Sequence, residues 1–167
     1  RDSPLPTQKQ WLEQVRALGL LNDAQIVVYD DAGGCFAARA WWMLRWLGHA
    51  NVAVLDGGLQ QWSQTLQTGS ATVPEPSAFT QQRSLTRLYD SDQVLAAIQQ
   101  PIATRPRLVD ARSHERFAGT EEPIDAVAGH IPSAVCLPFN ANLDATGKFK
   151  TPAALAKQFA SISAAED

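Results

Sequence analysis

Only two of the 167 residues are cysteine and only three are histidine. Cys35 and Cys136 do not amount to a disulfide framework, so a reducing compartment, the cytoplasm, is expected. His49, His114 and His130 show no ligand spacing with one another or with the cysteines. That argues against a zinc site, and no metal or cofactor is expected. Long apolar runs are also missing. The longest, such as residues 40–44, fall far short of the length that crosses a bilayer, which argues against a membrane span. No charge of one sign dominates: 14 Lys and Arg stand against 17 Asp and Glu, a net charge of -3. Without a basic stripe, a nucleic-acid partner is not expected. No GxGxxG or Walker-type loop appears, and Gly33-Gly34 alone reads as a turn. Residues 1–10 are polar and contain proline, unlike a secretory leader.

What is present is an ordinary globular composition, 45% hydrophobic and 19% charged, laid out in alternating strand and helix signals. Thr7 precedes Trp11, Leu12, Val15 and Leu18, with Gly19 closing a capped amphipathic helix. The apolar, largely β-branched run 26–29 predicts a buried strand, and the polar, glycine-rich stretch 30–34 a loop at its carboxyl end. Residues 36–47 carry Ala, Leu, Met and Trp at helical spacing and end at Gly48. A second strand is expected over 52–55, a turn at Gly57-Gly58 and a short helix over 59–66. Trp41, Trp42 and Trp46 fall at spacings that suit burial.

Beyond that the composition turns to Thr, Ser, Gly and Pro, and reads as a linker. After it come a helix over 91–98 capped by Asp90 or Ser91, and a strand at Leu108-Val109 running into Asp110-Ala111-Arg112. A further strand is expected over 134–137, and Thr151 to Phe159 start a helix with Pro152 in its first turn. Strands alternating with helices predict an α/β protein: an open parallel sheet with helices on both faces. Each side of the linker has about two clear strands, fewer than a complete parallel sheet usually has.

Cys35 opens a helix, where the dipole favours a thiolate, but Phe36 and the helix beyond it suggest that the thiol packs inward; Cys136 falls mid-strand and reads as core. A cysteine-dependent phosphatase is excluded. Its phosphate loop needs five residues between Cys and Arg, and here Arg39 follows Cys35 by only four positions.

Two stretches resemble the tandem-domain rhodaneses, the thiosulfate and 3-mercaptopyruvate sulfurtransferases. VVYDDAGGCFAARAWWMLRWLGHANVAVLDGGLQQW, from Val27 to Trp62, is similar to the later half of the family's non-catalytic amino-terminal domain. LVDARSHERFAGTEEPIDAVAGHIPSAVCLPF, from Leu108 to Phe139, is similar to the early half of its catalytic domain. The resemblance implies a rhodanese-like fold in two partial domains: 1–66, a linker over 67–87, and 88–167.

It also implies an activity. In that family a loop curls around a cysteine between a strand and a helix, and backbone N–H groups converge on the persulfide it carries. The residue in the cysteine's place here is Asp30, which cannot carry sulfur; Cys35 lies five positions further on. The plainer reading is that Asp30 or Asp31 caps or pairs locally, with Arg39 as a candidate partner. The catalytic cysteine is therefore expected after Asp167, outside this sequence. Arg116, in Glu115-Arg116-Phe117-Ala118-Gly119-Thr120, matches the family arginine that holds the anionic sulfur donor. Its plainer reading is a surface arginine paired with Glu115 or Glu121. Many members carry a second arginine shortly after the next proline, where this chain has Ile124 and Asp125 following Pro123. Asp110, Arg112 and His130 are expected in structural networks.

The implied partners are a small anionic donor and a thiol or cyanide acceptor. Two other readings stand beside sulfur transfer: a non-catalytic rhodanese-type binding or regulatory module, and a thiol enzyme using Cys35.

Overall fold

The computed structural model describes residues 4–164 except 71 and 73. They divide into two compact units, 4–87 and 88–164.

The first unit begins with helix α1, Gln8–Ala17, held at its start by a capping box between Thr7 and Gln10. Strand β1, Ile26–Val28, pairs in parallel with β2, Val52–Val54, in the register Ile26↔Val52. Helix α2, Cys35–Trp46, forms the crossover between them. Its inward face is Ala37, Met43 and Leu44. The tryptophans lie to either side of that face and are only partly buried: the Trp42 and Trp46 rings are tilted against each other with centroids 5.5 Å apart, and Arg45 lies over Trp41. The helix expected over 59–66 contracts to one 3-10 turn, Leu59–Gln61, because Trp62 is already extended. The Ser and Thr residues after it favour turns over helix interiors.

Residues 67–87, expected only as a linker, contain a built part of this unit. Phe79 is 1% exposed and joins Val15, Ile26, Leu44, Leu47 and Val52 in one core cluster. Around it the strap adds hydrogen bonds to carbonyls at the helix ends. The Ser77 N–H donates to Arg16 O at 2.9 Å, Gln82 N–H to Leu47 O at 2.8 Å, and Leu85 N–H to Arg45 O at 2.9 Å. Gly48, beyond its role in ending α2, is where the strap crosses. A Cβ there would lie 2.7 Å from the backbone of Gln82 and Arg83.

In the second unit helix α3, Ser91–Ile98, is capped by Asp90 with Gln93 completing a capping box. Strand β3, Val109–Asp110, pairs in parallel with β4, Val135–Cys136, so that Asp110 lies opposite Cys136. Between them lies the short helix α4, His114–Ala118, capped by Ser113 and ended by Gly119 in the left-handed conformation. After a 3-10 turn, Phe139–Asn142, comes α5, Pro152–Ala164, the helix expected to start over 151–159.

Among the described residues, every buried member of the apolar core belongs to the first unit. The second is organised around charges instead. Among the described residues no helix is long and apolar enough to cross a membrane and no group of three potential metal ligands occurs.

Candidate functional site

Asp30 ends the strand-to-loop junction after β1, and the loop folds around its carboxylate. Oδ1 accepts the N–H of Ala32 at 3.0 Å and of Gly34 at 2.8 Å. Oδ2 accepts the N–H of Phe36 and of Ala37, each at 2.9 Å. The last two are the second and third residues of α2, the donors that an N-cap side chain ordinarily satisfies. The N-cap here is Gly34, in the left-handed conformation at φ 87°, which has no side chain to offer. Asp30 therefore caps the helix from a distance. Burial works to raise its pKa, but the four backbone donors outweigh it and hold the carboxyl below the ordinary range. Gly58 closes the far side of this junction: a Cβ there would collide with the Asp30 carbonyl oxygen, which also accepts the Leu59 N–H at 3.0 Å. Arg39, considered as a partner for Asp30 or Asp31, instead donates to the carbonyl of Pro4 at 2.9 Å. Cys35 is half-buried at the first position of α2, and its neighbour Phe36 is 67% exposed.

The second unit gathers its charges at the carboxyl ends of β3 and β4. Arg112 grips Asp110 with Nε at 3.0 Å and Nη2 at 2.7 Å, and the same Nη2 donates to Gly129 O at 2.6 Å. That bidentate pairing is the main reason the Asp110 carboxyl lies below its ordinary pKa and the Arg112 guanidinium above its own. Arg116, on α4, binds Glu122 through Nε at 3.2 Å and Nη2 at 2.8 Å, and Asp125 through Nη2 at 2.8 Å. Its partners are thus Glu122 and Asp125 rather than Glu115 or Glu121. Glu122 accepts the N–H of Ile124 at 3.0 Å and of Asp125 at 2.9 Å. The Asp125 N–H, then Arg116, hold its carboxyl down at about 2. His130 stacks on Phe117 at 3.7 Å and donates from Nδ1 to the Phe117 carbonyl at 2.8 Å, fixing the turn. A cleft of about 660 Å³ opens beside the cluster, lined by Asp110, Arg112, Asp125, Val127, Gly129 and His130.

One contact escaped the sequence reading. Cys136 Sγ lies 3.3 Å from His114 Nδ1 and is half-buried rather than core. Burial and the nearby Asp110 carboxylate push its thiol up, with Arg112 opposing, so it is protonated at neutral pH. The signal available was the strand pairing: Asp110 opposite Cys136, with His114 four residues beyond Asp110.

The first unit is a parallel-stranded α/β framework whose strand-to-helix loop wraps a carboxylate, and its likeness to known proteins assigns it the rhodanese-like fold. Residues 2–65 match the family model described as "Rhodanese-like domain". The chain belongs to the rhodanese family. It is 42% identical over 163 residues to a probable 3-mercaptopyruvate sulfurtransferase of Pseudomonas aeruginosa, covering 95% of this chain and 56% of that protein. It is 38% identical over 164 residues to the thiosulfate sulfurtransferase of Bos taurus, covering 93% of this chain and 54% of that one. The crystal structure of the Tum1 protein from Saccharomyces cerevisiae superposes with a TM-score of 0.80 at 27% identity, over 97% of this chain and 59% of that one. The chain spans about half the length of the curated relatives it matches.

Proposed function

We propose that this chain is part of a cytoplasmic, tandem-domain sulfurtransferase. It moves a sulfane sulfur from thiosulfate or 3-mercaptopyruvate to cyanide or a thiol, through a persulfide on a cysteine lying beyond residue 167. Residues 1–66 belong to its non-catalytic domain and 88–167 to its catalytic one. The cysteine thiolate attacks the outer sulfur of thiosulfate, the S–S bond breaks, and sulfite leaves with the bonding pair. Cyanide then attacks the outer sulfur of the persulfide, and thiocyanate leaves as the thiolate is regenerated. This is covalent nucleophilic catalysis with backbone N–H stabilisation. Arg116 holds the anionic end of the donor. Its planar fork suits a sulfonate or carboxylate.

The observation that carries this reading is the cradle around Asp30, where four backbone N–H groups converge on one side chain at 2.8–3.0 Å. A loop of this shape suits a thiolate or persulfide, and Asp30 fills it with a charge that carries no sulfur. The test is turnover by the full-length protein that contains this sequence, read as thiocyanate from thiosulfate and as pyruvate from 3-mercaptopyruvate. Losing a charge-assisted contact costs about tenfold or more, so Arg116→Ala should raise the donor KM by at least that factor. Turnover by residues 1–167 alone, abolished by Cys35→Ser, would overturn the assignment in favour of a Cys35 enzyme.

A second reading has its own support. The Arg116 guanidinium already holds Glu122 and Asp125, as in a binding module whose donor arginine has become structural. A full-length protein that turns over neither donor would favour it.

A further inference from the structure

We propose that Asp125 is a built-in competitor for the sulfur donor, and that it biases the site against dianions relative to monoanions. This rests on the reading of Arg116 as the donor arginine.

The two acids that occupy Arg116 are not equivalent. Glu122 has a side chain only 5% exposed and is fixed by contacts to both Arg112 and Arg116. It is further tied by the N–H groups of Ile124 and Asp125. Asp125 is 47% exposed, and its carboxylate meets Arg116 Nη2 at 2.8 Å and Arg112 Nη1 at 3.6 Å. It also lines the cleft, on a stretch whose next-but-one residue, Val127, is 81% exposed. An anion entering from the cleft therefore reaches the guanidiniums by displacing Asp125, while Glu122 stays in place. Asp125 stands where a ligand carboxylate or sulfonate would stand.

Charge sets the direction of the selectivity. Two guanidiniums, Arg112 and Arg116, face three carboxylates, Asp110, Glu122 and Asp125, which leaves one negative charge in excess. Even when swung aside, Asp125 remains a like charge a few ångströms from the bound anion. A like charge at roughly 6 Å in water-like surroundings weakens a monoanion by about threefold. The energy doubles for a dianion, so the factor is squared, to about tenfold. Asp125 thus favours a carboxylate donor such as a 2-oxo acid over thiosulfate.

The experiment is a titration of the full-length protein that contains this sequence, its catalytic cysteine replaced by serine so that no sulfur is transferred, with sodium thiosulfate and with sodium pyruvate, followed by the arginine Nε–H signals in NMR spectra. Asp125→Asn keeps the size of the side chain and an acceptor for Arg116 while removing the charge. The expected result is a Kd for thiosulfate lowered about tenfold and for pyruvate about threefold. Adding Arg116→Ala to Asp125→Asn should remove both gains. If Arg116→Ala weakens binding of both anions but Asp125→Asn leaves them unchanged, or shifts them equally, the competitor role is wrong and the donor arginine stands. If thiosulfate affinity is indifferent to Arg116→Ala in both backgrounds, the donor reading fails and this inference with it. Absence of binding in wild type and in Asp125→Asn, up to the solubility of the salt, likewise overturns both.

Discussion

The carboxylate of Asp30 accepts the backbone N–H of Ala37, seven positions further along the chain, at 2.9 Å. With the donors of Ala32, Gly34 and Phe36 it joins the end of β1, the loop and the start of α2 into one hydrogen-bonded knot. Replacing Asp30 with Ala leaves those donors to water and removes the side-chain cap that α2 has at Phe36 and Ala37. Loss of a helix cap costs about 1–2 kcal/mol, which lowers Tm by roughly 4–8 °C per kcal/mol in a unit of this size. All five tryptophans lie in the first unit, so their fluorescence melting curve reports it selectively. An unchanged Tm would mean that the knot contributes nothing.

Phe79 is expected to matter more than its surroundings suggest. It is the aromatic that the strap inserts between α1 and α2, near His49, with ring centroids 5.7 Å apart. Truncating a fully buried phenylalanine costs about 3–5 kcal/mol. Phe79→Ala should therefore unfold the first unit at a markedly lower urea midpoint, and should expose the Gln82 and Leu85 N–H groups to rapid hydrogen exchange. Native-like protection of those amides in the variant would show that the strap holds by its backbone bonds alone.

Much of the first unit is legible in the sequence because its signals are local. The β-branched run at β1, the Thr7 cap of α1 and Gly48 after α2 each declare an element from a few adjacent residues. What was illegible depends on distant pairs. The cap of α2 comes from Asp30 and not from the residue beside the helix, so no window around Gly34 contains it. Phe79 is a lone aromatic in a polar stretch, and nothing near it signals burial. In the second unit the ends of β3 and β4 were foreseeable. The partners of Arg116 were not, because the turn at 122–125 folds Glu122 back through its own bonds to Ile124 and Asp125.

Acid should loosen the second unit through Glu122. Its folded pKa is held at about 2, below that of an ordinary glutamate, so the stabilisation is complete above roughly pH 4.5. It is lost as the pH falls from there through about 2. Asp110, lowered chiefly by Arg112, adds to the effect with the same sign. The amide signals of Gly119 and Gly129 should broaden or shift over that acid window. Glu122→Gln should remove most of the pH dependence and lower the melting temperature at neutral pH by about 5 °C. A pH profile identical in the two proteins would place the acid sensitivity elsewhere.

Cys136 offers a contrast in thiol chemistry. A histidine at 3.3 Å resembles an activating base, yet the thiol is only half-exposed and the carboxylates of Asp110 and Glu115 oppose a thiolate. The unfavourable field wins, since the thiol is pushed up and not down. In a Cys35→Ser background, iodoacetamide should therefore modify Cys136 several-fold more slowly than free cysteine at pH 7.5, with a rate still climbing above the ordinary thiol pKa of about 8.5. Removing the neighbouring charge should reverse part of this, so Glu115→Gln is expected to accelerate alkylation where His114→Ala is not. Rapid modification at neutral pH that disappears on His114→Ala would identify the pair as an activated thiol and refute the electrostatic argument.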